Sequence, residues 1–213
     1  MKIIPAINTR SFDEAKERIN LLKDLTKDFH IDISSIDFSN YETWQNPKEI
    51  DKLDDDLKLH LHLMIRLKPQ EILKWDNKRI KSFILHLEGT NLPDALLKFS
   101  KKTKKSIFVA WSPKIEKEFI ERYIKFVDGI LVLGVEPGKS GQKILEDTFE
   151  RIKIAKNFLN NKQKLIVDGG INMENIKDII KLNVDIIVIG SAIFEGNNPK
   201  ENYLKFLKAA DER

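Results

Sequence analysis

The stretch Lys164–Asn172, which reads KLIVDGGIN, joins a short apolar run to one carboxylate and two adjacent glycines. The apolar run predicts a buried β-strand with Asp168 at its carboxyl end. Gly169 and Gly170 allow a sharp turn and let a ligand approach the backbone closely. Asn172 is a suitable cap for the helix that follows. A strand, a carboxylate and a glycine turn in this order are typical of a site at the carboxyl edge of a parallel sheet.

The same alternation of β-like and helical segments continues outward through the whole chain. Ser11 with Glu14 three residues later predicts one helix start, and Asn46-Pro47 predicts another. The predicted strands cover residues 2–7, 29–34, 57–65, 82–88, 106–111, 129–135, 164–168 and 185–190. Eight strand–helix units predict an α/β fold, a closed (β/α)8 TIM barrel. A doubly wound open sheet is the alternative, but it needs fewer strands. Without a linker or a break in composition, residues 1–213 are expected to form a single domain.

Composition excludes several classes of protein. The 213 residues contain no cysteine, which excludes disulfides and thiolate metal sites, and the 41% hydrophobic content supports a sizeable core. The formal charge of +4 comes from residues of mixed sign, and the basic run Lys101–Lys105 lacks interleaved aromatics. We therefore expect no nucleic-acid partner. Because no apolar run approaches the roughly 18 residues of a membrane span, we also expect no membrane partner and a cytoplasmic location. The sequence leaves open whether the chain is a monomer or a homo-oligomer.

Histidines and carboxylates are concentrated on the predicted strands. His30 and Asp32 are two residues apart and so share one face of their strand, and His60 and His62 do the same on the next strand. All four histidines of the chain, including His86, are expected on strands. Two nitrogens and two oxygens that meet at one barrel end suit one divalent metal ion, and Zn²⁺, Fe²⁺, Mn²⁺ and Co²⁺ all remain open. The expected ligands are His30, Asp32, His62 and Asp168.

Three glycine-bearing turns follow the last three predicted strands. Barrels often bind a phosphate between the loops after strands seven and eight, through backbone N–H groups and a helix N-terminus. A negatively charged group is therefore expected at this side of the barrel mouth. The predicted phosphate-binding residues are Ser140, Gly141, Gly169, Gly170, Gly190 and Ser191.

Six segments, in order, make the chain resemble the ribulose-phosphate 3-epimerase family of TIM barrels. They are His30-Ile-Asp32, His62-Leu-Met64, His86-Leu-Glu-Gly-Thr90, Val135–Gln142, Val167–Ile171 and Ile189–Phe194. The resemblance implies inversion of the carbon beside a ketose carbonyl, from ribulose 5-phosphate to xylulose 5-phosphate in the pentose phosphate pathway. It implies that Asp32 and Asp168 carry the proton and also hold the metal ion with His30 and His62. The sugar pocket that it implies contains Ala6, Met64, His86 and Glu136.

The chain departs from the family pattern around the sugar. Ala6 stands where the family usually has serine, and Ser34 stands where the family has methionine. A methionine that is usual near Leu133 is also missing. These changes predict a wetter sugar pocket, with slower turnover of ribulose 5-phosphate or a preference for another ketose phosphate.

Three alternative functions stay open. One is the same reaction on a hexulose 6-phosphate. Another is a hexulose-phosphate synthase or orotidine-phosphate decarboxylase, but that type needs Asp-x-Lys-x-x-Asp, and Asp32–Asp37 has Ser34 at the lysine position. The third is a non-catalytic sugar-phosphate-binding barrel. The intact ligand set argues against it, because like charges packed together are costly without a metal ion.

Overall fold

The computed structural model describes residues 1–212, and eight parallel strands form a closed barrel in it. Each strand pairs with the next along the chain, and the last pairs with the first. The strands are β1 (Lys2–Ile7), β2 (Asp28–Ser34), β3 (Lys58–Met64), β4 (Ile80–Leu85), β5 (Ser106–Trp111), β6 (Gly129–Leu133), β7 (Lys164–Asp168) and β8 (Ile186–Ile189). The predicted (β/α)8 barrel is therefore confirmed.

Helices cover the outside of the barrel, and the first of them begins at its predicted capping signal. Ser11 accepts a hydrogen bond from the N–H of Glu14 at 3.3 Å, as predicted. The helices are α1 (Phe12–Leu22), α2 (Ile36–Ser39), α3 (Pro93–Lys101), α4 (Lys117–Ile124), α5 (Thr148–Phe158), α6 (Ile176–Lys181), α7 (Ser191–Phe194) and α8 (Pro199–Asp211). The segments Pro47–Lys52 and Pro69–Trp75 are 3-10 helices that begin with proline. No helix in the described part of the chain is long and apolar enough to cross a membrane.

The barrel interior is divided into an apolar side and a polar side. Aliphatic side chains and Phe108, from β1 and from β4 to β8, fill most of the interior. On the side of β2 and β3, the inward positions carry polar groups instead, because residues two apart on a strand point the same way. These inward polar residues are Asp28, His30, Asp32, His60 and His62. The carboxyl ends of β2 and β3 therefore place the side chains of Asp32 and His62 at the barrel mouth.

Several predicted boundaries differ from the structure, two of them by three residues, and one of these two moves a histidine. β4 ends at Leu85, and His86 lies after the strand, where Leu87–Gly89 form a 3-10 turn. The N–H of Gly89 donates to the carbonyl of His86 at 3.0 Å, which closes the turn. The expectation that all four histidines lie on strands therefore fails for His86. Asn172 caps a turn before α6, and the helix itself begins three residues later than predicted.

Candidate functional site

The four expected ligands meet at the carboxyl end of the barrel. His30 and Asp32 lie on β2, His62 lies on β3 and Asp168 ends β7. Asp32 and His62 are register partners across the β2–β3 ladder, so their side chains start side by side. One ligand atom from each of the four residues lies within 4.8 Å of the others. The barrel thus brings together residues that are far apart in the chain.

Each histidine nitrogen in the cluster faces both carboxylates. The Nε2 atom of His30 lies 3.2 Å from Oδ1 of Asp32 and 3.5 Å from Oδ2 of Asp168. The Nδ1 atom of His62 lies 3.1 Å and 3.5 Å from the same two oxygens. The four atoms therefore point at one common volume.

This cluster fits a divalent cation. The Nε2 atom of His30 is buried and has no hydrogen-bond partner within residues 1–212. A buried polar atom of this kind is rare unless another group satisfies it. Two imidazole nitrogens and two carboxylates also match the ligands of first-row divalent metals, and a dication would offset the two negative charges. The site therefore has the donors, the charge and an unsatisfied ligand atom that a metal ion needs.

The cluster shifts the pKa values of its own members. Burial opposes ionisation of Asp32, but the neighbouring rings of His30 and His62 outweigh it and hold the pKa of this carboxyl well below its usual range. Burial lowers the pKa of His62, but Asp168 and Asp32 outweigh it and raise the pKa to about 9. A metal ion that binds His62 must therefore displace a proton.

His86 lies behind His62 and does not line the cavity, which corrects its expected place in the sugar pocket. It follows the last residue of β4, and its ring stacks on that of His62 from β3. Its Nε2 atom lies 2.8 Å from Nε2 of His62, and its Nδ1 atom lies 2.8 Å from Oε1 of Glu88. Ser112 donates to the same oxygen at 2.6 Å. Burial lowers the pKa of His86, and His86 and Ser112 lower the pKa of Glu88 despite its burial.

One cavity opens above the cluster and extends toward the glycine turns. Asp32, His62 and Asp168 form part of its floor. The other predicted site residues on its walls are Ala6, Met64, Glu136, Ser140, Gly141, Gly169, Gly170, Gly190 and Ser191. The predicted metal-binding residues and the predicted phosphate-binding residues therefore border the same space.

Two glycines of the cavity wall differ in their surroundings. A side chain would clash at Gly170, whereas Gly141 has open space around it. Both residues have a positive φ, 72° at Gly170 and 82° at Gly141. A Cβ added to Gly170 would lie 2.3 Å from the backbone nitrogen of Ile144, whereas one added to Gly141 would meet nothing within 4 Å. Among the described residues, neither N–H group donates to a protein acceptor. Free N–H groups beside open space suit an anion.

Asn8 is a member of the cavity wall that the sequence did not single out. It follows β1 directly and lines the cavity. Its Nδ2 atom donates to Oδ2 of Asp32 at 3.0 Å and to the carbonyl of Gly138 at 2.9 Å. The available signal was its position, because it stands at the carboxyl end of a strand, where barrel sites collect.

Ser34 does not border the cavity, and its expected effect on the sugar pocket is corrected. It is fully buried, its N–H donates to Oγ1 of Thr43 at 2.8 Å, and its hydroxyl lies against that of Ser39. As the last residue of β2, it contacts the segment around α2 instead of the sugar. Ala6 does line the cavity, so only the first of the two departures lies in the pocket.

Solved structures with the same architecture come from several enzymes. KGPDC from Streptococcus mutans superimposes with a TM-score of 0.76 at 10% identity, and 99% of this chain and 97% of that chain are covered. The 3-hexulose-6-phosphate synthase of Salmonella typhimurium has a TM-score of 0.74 at 17% identity, with 100% and 99% covered. At such identities the similarity shows the fold alone.

Sequence comparison is more specific. Proteins named ribulose-phosphate 3-epimerase include one from Buchnera aphidicola, 32% identical over 143 residues, and one from Methanocaldococcus jannaschii, 28% identical over 216 residues. The first match covers 66% of this chain and 63% of the relative, and the second covers 99% and 91%. The chain thus spans less than two thirds of the Buchnera relative that it matches. The family model described as the ribulose-phosphate 3 epimerase family matches residues 2–194. With this match and the site geometry together, the chain belongs to the ribulose-phosphate 3-epimerase family.

Proposed function

We propose that this protein is an epimerase that inverts carbon 3 of D-ribulose 5-phosphate to give D-xylulose 5-phosphate. The observation that carries the proposal is a pair of carboxylates, Asp32 and Asp168, at the floor of one cavity. They come from β2 and β7, and each contacts the same two histidine nitrogens. Two carboxylates from different walls can reach a carbon between them from two directions. Family membership supports the same chemistry.

The two carboxylates would act as base and acid. One of them, ionised, removes the proton from carbon 3, and the electron pair of the C–H bond moves into the adjacent carbonyl to give an enediolate. The other, protonated, returns a proton to the opposite face of carbon 3, and the carbonyl reforms. The substrate gains and loses one proton, so only its configuration changes, and the two residues exchange roles in the reverse direction.

His30, Asp32, His62 and Asp168 would hold a divalent metal ion at this floor. When bound, such an ion supplies positive charge that stabilises the negative charge on the substrate oxygens after proton removal. The donor set suits zinc, iron, manganese or cobalt. The histidines place their nitrogens at the cluster, and Asn8 holds the outer oxygen of Asp32 in place.

The phosphate group would lie at the other end of the cavity. The free N–H groups of Gly141 and Gly170 support this assignment, as does the turn at Gly190 and Ser191. Ser140 has its hydroxyl 3.5 Å from the place where a Cβ on Gly190 would lie, so both residues border the same space. With the phosphate fixed there, carbon 3 would be held near the two carboxylates.

A hexulose 6-phosphate is the second candidate substrate. Ala6 favours it, because a small side chain without a hydroxyl faces the cavity beside Gly190. A longer ketose could use that space.

The test is an epimerisation assay together with metal analysis of the purified protein. We expect conversion of D-ribulose 5-phosphate by the wild type, with kcat/KM at least as high as for any hexulose 6-phosphate. Asp168→Asn should retain part of the metal and lose the activity, because an amide cannot accept the proton. An inactive wild type with its metal site filled would refute the proposal, and a higher kcat/KM on the hexulose would select the second candidate.

A further inference from the structure

We propose that Glu88, His86 and Ser112 form a buried hydrogen-bond relay that fixes the tautomer and orientation of His62 and thereby sets the affinity of the site for a divalent cation. The inference rests on the metal site of the proposed function. It does not depend on which sugar the protein converts. The three relay residues lie outside the ligand cluster, and within residues 1–212 their hydrogen bonds reach it through His62.

The relay begins at the carboxylate of Glu88. An ionised carboxylate can only accept hydrogen bonds. Oε1 of Glu88 lies 2.8 Å from Nδ1 of His86 and 2.6 Å from the hydroxyl of Ser112. Both partners must therefore donate to it. It follows that the ring of His86 carries its proton on Nδ1 and that Ser112 directs its hydrogen to the carboxylate.

The second step passes from His86 to His62. With the proton on Nδ1, the Nε2 atom of His86 is an acceptor, and it lies 2.8 Å from Nε2 of His62. His62 must then carry a proton on Nε2, so the proton that a cation displaces is the one on Nδ1, and its loss leaves a lone pair on that atom. That atom lies 3.1 Å from Asp32 and 3.5 Å from Asp168, in the ligand cluster. The opposite arrangement would point an N–H group at the cation.

Packing holds the rings in this arrangement. The rings of His62 and His86 are stacked with centroids 5.0 Å apart and planes 17° apart. Phe38 also packs edge-on against His86, with ring centroids 5.0 Å apart. The residues His62 and His86 are 0% and 2% exposed. Neither ring can rotate without opening this packing, so the hydrogen bonds are preorganised. Partners that orient a ligating histidine raise metal affinity in other proteins.

The first test measures the Zn²⁺ dissociation constant of the folded protein by competition with a chelator. Glu88→Gln lets an amide donate to His86 and so permits the wrong tautomer. His86→Phe removes the acceptor for His62 altogether. Both should weaken Zn²⁺ binding about 10- to 100-fold. His86→Gln places a carbonyl near the position of Nε2 and should recover part of the affinity.

His60→Gln is the matched control. His60 is a half-buried histidine on the same strand as His62, but its partners are Asp28 and Ser82. We expect its Zn²⁺ affinity to stay near that of the wild type. Wild-type affinity in both Glu88→Gln and His86→Phe would overturn the relay. An equal loss in His60→Gln would also overturn it, because the effect would then be general to the barrel.

A second measurement needs no variant and therefore no assumption about folding. Nitrogen NMR of ¹⁵N-histidine-labelled, Zn²⁺-loaded wild type reports which ring nitrogen carries each proton. We expect the proton of His62 on Nε2 and that of His86 on Nδ1. A proton on Nε2 of His86 would contradict the relay.

These outcomes separate the relay from the proposed reaction. A wild type that binds Zn²⁺ with the expected tautomers but does not epimerise refutes the reaction alone. A wild type that epimerises while the relay variants bind Zn²⁺ normally refutes the relay alone. A wild type that binds no Zn²⁺ overturns the relay, and the epimerisation assay then decides the reaction separately.

Discussion

At the residue scale, Asn8 is the strongest candidate for orienting the base. Its amide donates both to Asp32 and to the carbonyl of Gly138, in the loop beside the phosphate end. Both partners are acceptors, so the orientation of the amide is fixed. Because a hydrogen bond to a charged group contributes about 1.5–3 kcal/mol, loss of the donor should release Asp32 to rotate.

Asn8→Ala should therefore lower kcat by about 10- to 100-fold while changing KM less, because the residue acts on the base. Asn8→Asp should be worse, since it places a second negative charge beside Asp32. Steady-state kinetics on D-ribulose 5-phosphate gives both constants, with thermal unfolding as the check on folding. Wild-type kcat in Asn8→Asp would show that this contact does not position the base.

At the element scale, the turn after β7 is held by packing as well as by φ. Gly170 and Gly196 have similar positive φ values, 72° and 76°. A Cβ on Gly170 would collide with the backbone of Ile144, whereas one on Gly196 would meet nothing within 4 Å. The pair therefore separates the clash from the cost of the conformation, which is about 1–3 kcal/mol.

Gly170→Ala should lower the free energy of unfolding by more than Gly196→Ala does, and it should also raise KM for the sugar phosphate. Urea unfolding and steady-state kinetics measure the two effects. Equal losses of stability, with KM unchanged in both variants, would mean that the turn after β7 neither packs nor binds as described.

The amino-terminal ends of β1 to β4 share a polar cluster below the ligand set. Asp28 lies 2.6 Å from Nζ of Lys2 and 3.1 Å from Nε2 of His60, which in turn contacts Ser82. Burial opposes ionisation of Asp28, but hydrogen bonds from His60 and Lys2 outweigh it and lower its pKa from 3.8 to about 2. Because the folded pKa lies below the unfolded value, this carboxylate stabilises the fold above pH 3.8, and the contribution disappears as the pH falls to about 2.

The difference in unfolding free energy between the wild type and Asp28→Asn should therefore be constant near neutral pH and shrink over that acid range. Urea unfolding at a series of pH values measures it. A difference that grows toward low pH would contradict the assigned direction of the shift.

The sequence predicts local features of these elements better than their ends. The site at Asp168 could be predicted because its apolar run, carboxylate and glycines are consecutive. The position of His86 could not be predicted, because it depends on β4 ending at Leu85 and on the 3-10 turn at Leu87–Gly89. Ser34 was expected to affect the sugar pocket, and its actual surroundings also depend on how a following segment folds. Its hydrogen bonds to Ser39 and Thr43 exist only once the segment around α2 folds back over the end of β2.

At the scale of the whole molecule, closure of the barrel brings the charged ligand residues together at its mouth. The free energy of unfolding should therefore depend on whether a metal ion is bound. Four residues from three strands form the ligand cluster, and the two carboxylates repel each other when it is empty. A cation that binds only the folded chain stabilises it by about 4 kcal/mol at a concentration one thousand times its dissociation constant. The stability of the whole fold is thus linked to cation binding at the ligand cluster.

Removal of metal with a chelator should therefore lower the Tm of the wild type by several degrees, and added Zn²⁺ should restore it. His62→Ala lacks one ligand and should show a much smaller shift, which makes it the control. Calorimetry measures both. A wild-type Tm that changes neither with chelator nor with added metal would show that the cluster is not a metal site.

Closure of the barrel also explains why the ligand set could be predicted from the sequence and the contacts of Asn8 could not. Alternating residues on neighbouring strands have a fixed direction, so His30, Asp32 and His62 were expected to meet. Asn8 lies beyond the end of β1, where no alternation applies. Its contact with Asp32 arises because the barrel places β1 beside β2, and its contact with Gly138 depends on the loop after β6.

The most direct test of the central claim follows the proton on carbon 3. Incubation of D-ribulose 5-phosphate with the metal-loaded wild type in D₂O, followed by proton NMR, should show exchange of that proton for deuterium together with xylulose 5-phosphate. Asp168→Asn, loaded with the same metal, should form no xylulose 5-phosphate, because one of the two proton carriers is missing. Full epimerisation by Asp168→Asn, or product from the wild type without deuterium at carbon 3, would contradict proton transfer by the two carboxylates.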